Sequence, residues 1–196
     1  YEVDVFLRSG ASVKADKIER IEGFLVLGLD GRRVSLDVVD RVEFRFRDLS
    51  VEMCAAFYES GRVSALKSRL DQLLLPLVKL RGVASNLAPY WFWLVRCEYW
   101  EGSRAGALRG IEVLREERDS SWVRSADMYA VLLALDDNDV AGAEAIYRRL
   151  DSPEKASVPM NLYLLGRLAM ARGEWKESLQ YMVQIVALHG RNREWL

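Results

Sequence analysis

The chain has 196 residues and a net charge of −1, with 28 Lys and Arg against 29 Asp and Glu. This balance gives no overall basic field of the kind that attracts nucleic acid or anionic lipid. Hydrophobic residues make up 51% of the chain, enough to build a core, so a disordered chain is excluded. A single histidine and two cysteines exclude a zinc cluster and a disulfide framework.

Residues 1–48 have the two-residue period of β-strands. Two runs place apolar residues at every second position: Val3, Val5 and Leu7, and later Val42, Phe44 and Phe46. Two further apolar runs, Phe24–Leu29 and Val34–Leu36, are joined at Asp30-Gly31, a typical hairpin turn. With another strand between Val13 and Ile21, about five strands are predicted.

Five short strands so close together predict a small β-barrel or rolled sheet. The early glycine turn, the Asp-Gly hairpin and the final V-x-F strand resemble those of small Sm-like or SH3-like barrels. A unit of 48 residues buries little apolar surface alone, so we expect it to pack against the helices that follow.

From Val51 onwards the apolar period becomes helical. Stripes with helical spacing include Leu66, Leu70, Leu73 and Leu77; Ala143, Ile146, Tyr147 and Leu150; and Leu179, Met182, Val183 and Val186. Pro76 lacks an N–H donor and is predicted to end or kink the first of these helices.

Four predicted turns recur along the helical region, and Gly61, Gly102, Asn138 and Gly173 mark them. The spacings of 41, 36 and 35 residues indicate an internal repeat of helical hairpins. Asn is the usual replacement for Gly where the backbone turns through the left-handed region. Five residues after each turn come Leu66, Ala107, Ala143 and Ser178, and the small ones allow two helices to approach.

The helical region resembles the tetratricopeptide repeat (TPR) family, whose pattern is W-x2-L-G-x2-Y, then A-x3-F, then P. The matching residues are Trp91 and Leu94, Leu165-Gly166, Ala143 with Tyr147, and Ala107 with Ile111. Val95 departs from the pattern because it replaces the glycine, and the spacing exceeds the family's 34 residues. The expected architecture is therefore α+β: a β-module at 1–48 and a TPR-like solenoid of about four hairpins at 49–196.

The TPR resemblance implies protein binding on a concave face made by the first helix of each hairpin. The family's inner-face positions correspond here to Tyr58, Phe92, Arg96, Tyr99, Met128, Leu132, Tyr163 and Arg167. Aromatic and arginine side chains are the usual hot spots of binding surfaces. Ordinary packing between helices is the alternative role for any one of them. The segment 88–100 carries six aromatic residues and predicts either a central helix or a contact surface.

No motif for chemistry is present. The sequence lacks G-x-G-x-x-G, G-x4-G-K-[ST] and G-x-S-x-G, and Asp136 to Asp139 does not fit an EF-hand loop. His189 is predicted at a helix C-terminus, where the helix dipole favours a cation. The apolar surroundings of Cys54 and Cys97 favour buried free thiols. We expect no catalytic residue, no cofactor and no metal.

The predicted function is therefore a non-catalytic adaptor or assembly factor that binds a peptide or helix. The alternative is a structural, self-associating component of an envelope or coat assembly. Nucleic acid is not expected as a partner, because residues 1–48 hold 9 basic against 10 acidic residues and residues 49–196 hold 19 of each. No membrane span is predicted. The compartment stays open, although a signal peptide upstream of Tyr1 would place the protein in the periplasm or cell envelope.

Overall fold

The computed structural model describes residues 1–28, 30–150 and 158–189, without the side chains of 158 and 189. Leu29 and the parts of the predicted array at 151–157 and 190–196 lie outside the described residues. Strands come first and helices follow, which confirms the α+β class. The strands are β1 (Glu2–Leu7), β2 (Ser12–Ala15), β3 (Ile18–Ile21), β4 (Phe24–Leu27), β5 (Arg32–Ser35) and β6 (Val39–Arg45). The helices are α1 (Val51–Glu59), α2 (Val63–Leu74), α3 (Ala88–Trp100), α4 (Arg104–Arg115), α5 (Ser120–Asp136), α6 (Val140–Arg149), α7 (Val158–Ala171) and α8 (Trp175–His189).

The strands form two three-stranded antiparallel sheets, in the orders β2-β1-β6 and β3-β4-β5. The described strands do not close into the barrel that was one of the two predictions. The single strand expected between Val13 and Ile21 is two strands, because the chain leaves the first sheet after Ala15 and enters the second at Ile18. Six strands are therefore described where about five were predicted.

The alternation in β1 places Val3 and Val5 in the core, as predicted. Asp4, on the opposite face of the strand, is also buried, with only 5% of its surface exposed. β1 is the central strand of its sheet, and the side chain of Arg45 on β6 forms an ion pair with Asp4. The two-residue period shows on which face of the strand Asp4 lies, but it does not show that another side chain covers that face.

The β-module packs against the segment that joins α2 to α3. Asn86 pairs with the backbone of Phe44: the Phe44 N–H donates to Asn86 Oδ1 at 2.8 Å, and Asn86 Nδ2 donates to the Phe44 carbonyl at 2.9 Å. The Val42 N–H donates to the Ala84 carbonyl at 2.8 Å. A 3-10 helix, Leu75–Leu80, follows α2 where Pro76 was predicted to end it, and it packs against β3. One hydrophobic core runs through the sheets and the helices.

The four hairpin turns share one backbone geometry. Gly61, Gly102, Asn138 and Gly173 all have positive φ, between 60° and 79°, so the prediction for Asn138 is confirmed. In each turn the left-handed residue donates to the carbonyl three residues earlier at 3.0 Å, and the next residue donates to the carbonyl five residues earlier at 2.8–2.9 Å. This is the Schellman arrangement, which satisfies carbonyls at a helix end.

The hairpins contact one another in series. α3 packs against α1 and α5, and α5 packs against α7, so the first helices of successive hairpins are neighbours. Each of α2, α4 and α6 packs against the first helix of the next hairpin. The residues five positions after the turns, Leu66, Ala107, Ala143 and Ser178, are all buried. The aromatic helix α3 lies between α1 and α5, and eight of its 13 residues are buried.

Candidate functional site

The eight predicted site residues all lie on the first helices of the hairpins. α1 carries Tyr58, α3 carries Phe92, Arg96 and Tyr99, α5 carries Met128 and Leu132, and α7 carries Tyr163 and Arg167. Because these helices contact one another in series, four of the predicted residues come together in one cluster, and two more lie beside it. Met128 and Leu132 are buried, as the packing alternative expected.

Arg96 lies at the centre of a group of aromatic rings. Its guanidinium carbon is 4.2 Å from the ring centre of Tyr58 on α1, 4.4 Å from Trp93 and 5.7 Å from Phe92. Only 6% of Arg96 is exposed. Stacking of a guanidinium on aromatic faces is favourable and becomes stronger as water is excluded. The cationic side chain is thereby held in one orientation between α1 and α3.

A row of ring contacts continues from α3 to α5. Phe92 contacts Trp122 and Tyr129, each with ring centres 5.9 Å apart, and Tyr99 contacts Tyr129 at 5.5 Å with an interplanar angle of 71°. The two contacts of Tyr129 are edge-to-face, and such pairs add to the free energy of burial and fix the ring orientations. We call Tyr58, Phe92, Trp93, Arg96, Tyr99 and Tyr129 the aromatic–arginine cluster.

Arg167 on α7 is positioned by a polar contact with the end of α5. Its guanidinium donates to Asp136 Oδ1 at 2.6 Å and to the Tyr163 hydroxyl at 3.1 Å. Burial, and next the negative charge of Asp136, raise the pKa of the Tyr99 hydroxyl, so this group stays protonated. Helices α5 and α7 are therefore joined by a charged network that lies beside the aromatic rings.

A small depression connects the two halves of the site. Four predicted residues line it, namely Arg96, Tyr99, Leu132 and Tyr163, together with Trp100, Tyr129 and Met160. Its free volume is about 10 Å³, which is room for about one water molecule. The cluster fills its own interior, so a partner would meet its outer edge. Trp100, the last residue of α3, is 56% exposed there.

Four residues of the site were not predicted from the sequence: Trp93 and Tyr129 in the cluster, and Trp122 and Asp136 beside it. Trp93 and Tyr129 directly follow Phe92 and Met128, which were predicted. The inner-face positions of the TPR family give one residue per helical turn. A bulky residue at the next position along the helix also reaches the space between neighbouring first helices. The aromatic richness of segment 88–100 was the available signal for Trp93 and Trp100.

Helix α3 also carries a buried charged residue, Glu98, which faces α2. Glu98 is 6% exposed, and its Oε1 is 3.5 Å from Nζ of Lys67 on α2. Its Oε2 has no hydrogen-bond partner among the described residues. Lys67 also donates to Asp71 at 3.1 Å. The interface between α2 and α3 is thus partly ionic, which no periodicity argument indicated.

The described residues contain no group of three or more His, Cys, Asp and Glu side chains that could hold a metal ion. Cys54 and Cys97 are both buried free thiols, as predicted. Within ranges 1–28, 30–150 and 158–189, no helix has the length and apolar character needed to cross a membrane.

Comparisons with protein-family models, curated proteins and solved structures found no significant match to this chain. The resemblances to TPR arrays and to Sm-like or SH3-like barrels therefore stay predictions.

Proposed function

We propose that this chain is a non-catalytic binding module whose first helices, α1, α3, α5 and α7, form one face that takes a peptide or helix of another protein. The observation that carries the proposal is the convergence of the predicted residues. Six of the eight, all except Met128 and Leu132, belong to the aromatic–arginine cluster or to the adjoining Arg167–Tyr163 pair.

The chemistry of this face suits protein recognition. Tyr, Trp and Arg are the residues most enriched at binding hot spots, since they bury large areas and keep polar tips. Here their side chains are held by one another: Arg96 between rings, and Arg167 by Asp136. A side chain that is already fixed loses less conformational entropy on binding, which favours affinity. Trp100 offers the largest exposed aromatic surface of the first helices.

The array assignment is part of the same proposal. The shared turn geometry and the serial contacts of the four hairpins support a TPR-like solenoid, in which the first helices would line an extended surface. The β-module would then cap the first repeats or contact a second partner. Its pairing with Asn86, just before α3, fixes it beside the start of the aromatic helix.

A peptide selection tests the proposed function. Random linear peptides displayed on phage are selected on the full chain, and a fluorescent version of an enriched peptide is titrated by anisotropy. We expect Trp100→Ala to weaken binding about tenfold or more, because a hot-spot aromatic costs over ~1.4 kcal/mol when truncated. Met53→Ala is the matched control, since Met53 is an exposed apolar residue on α1 outside the cluster.

Two results would count against the proposed function. One is a selection that enriches no peptide on the full chain. The other is an enriched peptide whose affinity drops equally, or not at all, in the Trp100→Ala and Met53→Ala proteins.

A further inference from the structure

A groove lies where the β-module leads into the first hairpin. The apolar residues that line it are Leu49, Met53 and Leu73, and the charged ones are Arg47, Asp48 and Arg69. Its free volume is about 610 Å³, which is within the usual range of ligand sites in proteins. Met53 is 40% exposed, so the described residues leave the groove open to solvent. We call it the α1 groove.

The α1 groove lies on a different side of α1 from the aromatic–arginine cluster. In an α-helix, Met53 and Phe57 are roughly 100–140° around the axis from Tyr58, which belongs to the cluster. The carboxylates of α1, Glu52 and Glu59, lie roughly 120–140° from the side that carries Met53 and Phe57. The groove is therefore a separate surface, and the acidic residues of α1 lie away from it.

Two arginines of the first hairpin stack on one aromatic ring beside the groove. The guanidinium carbon of Arg62 is 4.4 Å from the ring centre of Phe57, and that of Arg69 is 4.9 Å from it. Arg69 also donates to the Asp48 carbonyl at 3.4 Å. Among the described residues, no carboxylate forms an ion pair with either arginine. Both positive charges are therefore held in place without a counter-charge from the described part of the chain.

The position of Arg62 in its helix adds to this positive potential. Arg62 is the N-cap of α2, and its side chain makes no capping hydrogen bond. The N-cap is Ser103 in α4 and Asp139 in α6, and Asp139 accepts a hydrogen bond from the Gly142 N–H at 2.9 Å. Ser and Asp are preferred N-caps, whereas the helix dipole opposes a cation at this end. A negatively charged group beside Arg62 would relieve the repulsion, so the position favours an anionic ligand.

We propose that the α1 groove binds an acidic segment of a partner protein. One apolar side chain of the segment occupies the space between Leu49, Met53 and Leu73. Its carboxylates pair with Arg62 and Arg69, because the guanidinium group matches a carboxylate with two parallel N–H donors. Since both guanidinium groups lie beside one ring, neighbouring acidic residues of one segment can reach both. This inference goes beyond the proposed function, because it concerns another surface and a partner of defined charge.

The apolar lining favours a protein segment over other anionic ligands. Nucleic acid is bound through many phosphate contacts, and an anionic lipid surface through clusters of about four to eight basic residues. The groove offers Arg62, Arg69 and Arg47, and Arg47 already pairs with Glu2 at 3.2 Å. A few cations beside an apolar pocket are complementary to acidic residues that flank an apolar one.

Charge-reversed variants in a peptide selection test this proposal. Random linear peptides displayed on phage are selected on the full chain, and an enriched acidic peptide is titrated by fluorescence anisotropy. We expect Arg69→Glu to raise its dissociation constant about tenfold or more, because the new carboxylate repels the peptide. Arg109→Glu is the matched control, since Arg109 is exposed on α4, has no ion pair within the described chain and undergoes the same change of charge.

Two further variants separate this site from the face of the first helices. Met53→Ala should weaken the acidic peptide because it removes an apolar contact in the groove, whereas Trp100→Ala should leave the affinity unchanged. A peptide bound at the aromatic–arginine cluster shows the reverse pattern, so either proposal can fail without the other. Should Arg69→Glu lose its helical circular dichroism, Arg69→Gln replaces it in the titration.

An acidic peptide that Arg69→Glu and Arg109→Glu weaken equally would overturn the proposal, since the attraction would then come from the overall charge. A selection that yields no peptide dependent on Arg69 would also overturn it. If a mixed-sequence DNA duplex or phosphatidylserine vesicles then bind in a manner that depends on Arg69, the anionic ligand belongs to another class.

Discussion

The carboxyl group of Glu98 on α3 lies where a side chain at Gly106 on α4 would stand. A Cβ at position 106 would be 2.3 Å from Glu98 Cδ, which is closer than real Cβ atoms approach. The missing side chain of Gly106 therefore makes room for the buried carboxylate that faces Lys67. The packing of the second hairpin and the ionic contact with the first depend on the same glycine.

Gly106→Ala should destabilise the fold, because the added methyl group forces the buried Glu98 carboxylate to move. Overpacking of this kind costs about 1–3 kcal/mol, and the gain in helix propensity offsets up to ~1 kcal/mol of it. The free energy of unfolding in urea measures the difference. Gly23→Ala is the control with a change within about 0.5 kcal/mol, since nothing lies within 4 Å of a Cβ there.

The same loss of stability in a Glu98→Ala background would contradict this explanation. The carboxylate is then absent, so Gly106→Ala should cost less or become favourable, and the double-mutant cycle should show coupling.

The turn residues give a second prediction. Gly102 has φ of 73°, and no atom lies within 4 Å of the place that a Cβ would occupy there. Gly102→Ala should therefore cost about 1–2 kcal/mol through backbone strain alone. Asn138→Gly should be neutral or slightly stabilising, since Asn138 holds the same conformation at φ of 60°. Thermal unfolding of both variants checks this. Destabilisation by Asn138→Gly greater than that by Gly102→Ala would contradict a shared turn geometry.

Local patterns predicted the parts of the fold that depend on local chemistry. Asn138 was assigned to a left-handed turn from its position in the repeat, and Pro76 to the end of a helix, because both depend on the residue's own backbone preferences. The convergence of Arg96 with Tyr58 came from the TPR resemblance, which supplies a long-range arrangement that no local pattern contains.

The features that were missed depend on neighbours in space. Asp4 alternates as a solvent-facing residue, yet Arg45 covers it. Val183 and Leu179 have the spacing of a core face, yet no described element lies on them. Periodicity defines an apolar face but not whether another element of the same chain is present to cover it.

The two cysteines should be unreactive in the folded protein. Burial raises the pKa of the Cys54 thiol to about 11 and that of the Cys97 thiol to about 12. The thiolate is the reactive form, so both groups stay protonated and unreactive at neutral pH. Iodoacetamide labelling followed by mass spectrometry should show modification of both residues only after denaturation. Rapid labelling of either one in the folded chain would contradict their burial.

The contact between the second and third hairpins gives a prediction at acid pH. The hydrogen bond from Arg104 lowers the pKa of Asp137 below its ordinary value of 3.8. A lowered pKa contributes stability that is present above pH 3.8 and is lost as the pH falls through the folded-state value. Carboxyl NMR titration should show the pKa of Asp137 rising towards 3.8 in Arg104→Gln.

The urea stability of this variant should approach that of the unmodified chain as the pH falls below 3.8. A stability difference that grows on acidification would have the wrong sign for this pair. Because both side chains are exposed, the effect at neutral pH should be small.

The most direct measurement of the central claim is a map of where a selected peptide contacts the chain, obtained from amide chemical shifts of the full protein with and without the peptide. We predict that the largest changes fall on the first helices, around Tyr99, Trp100 and Tyr163. Changes confined to the β-module or to the second helices of the hairpins would contradict a binding face on the first helices.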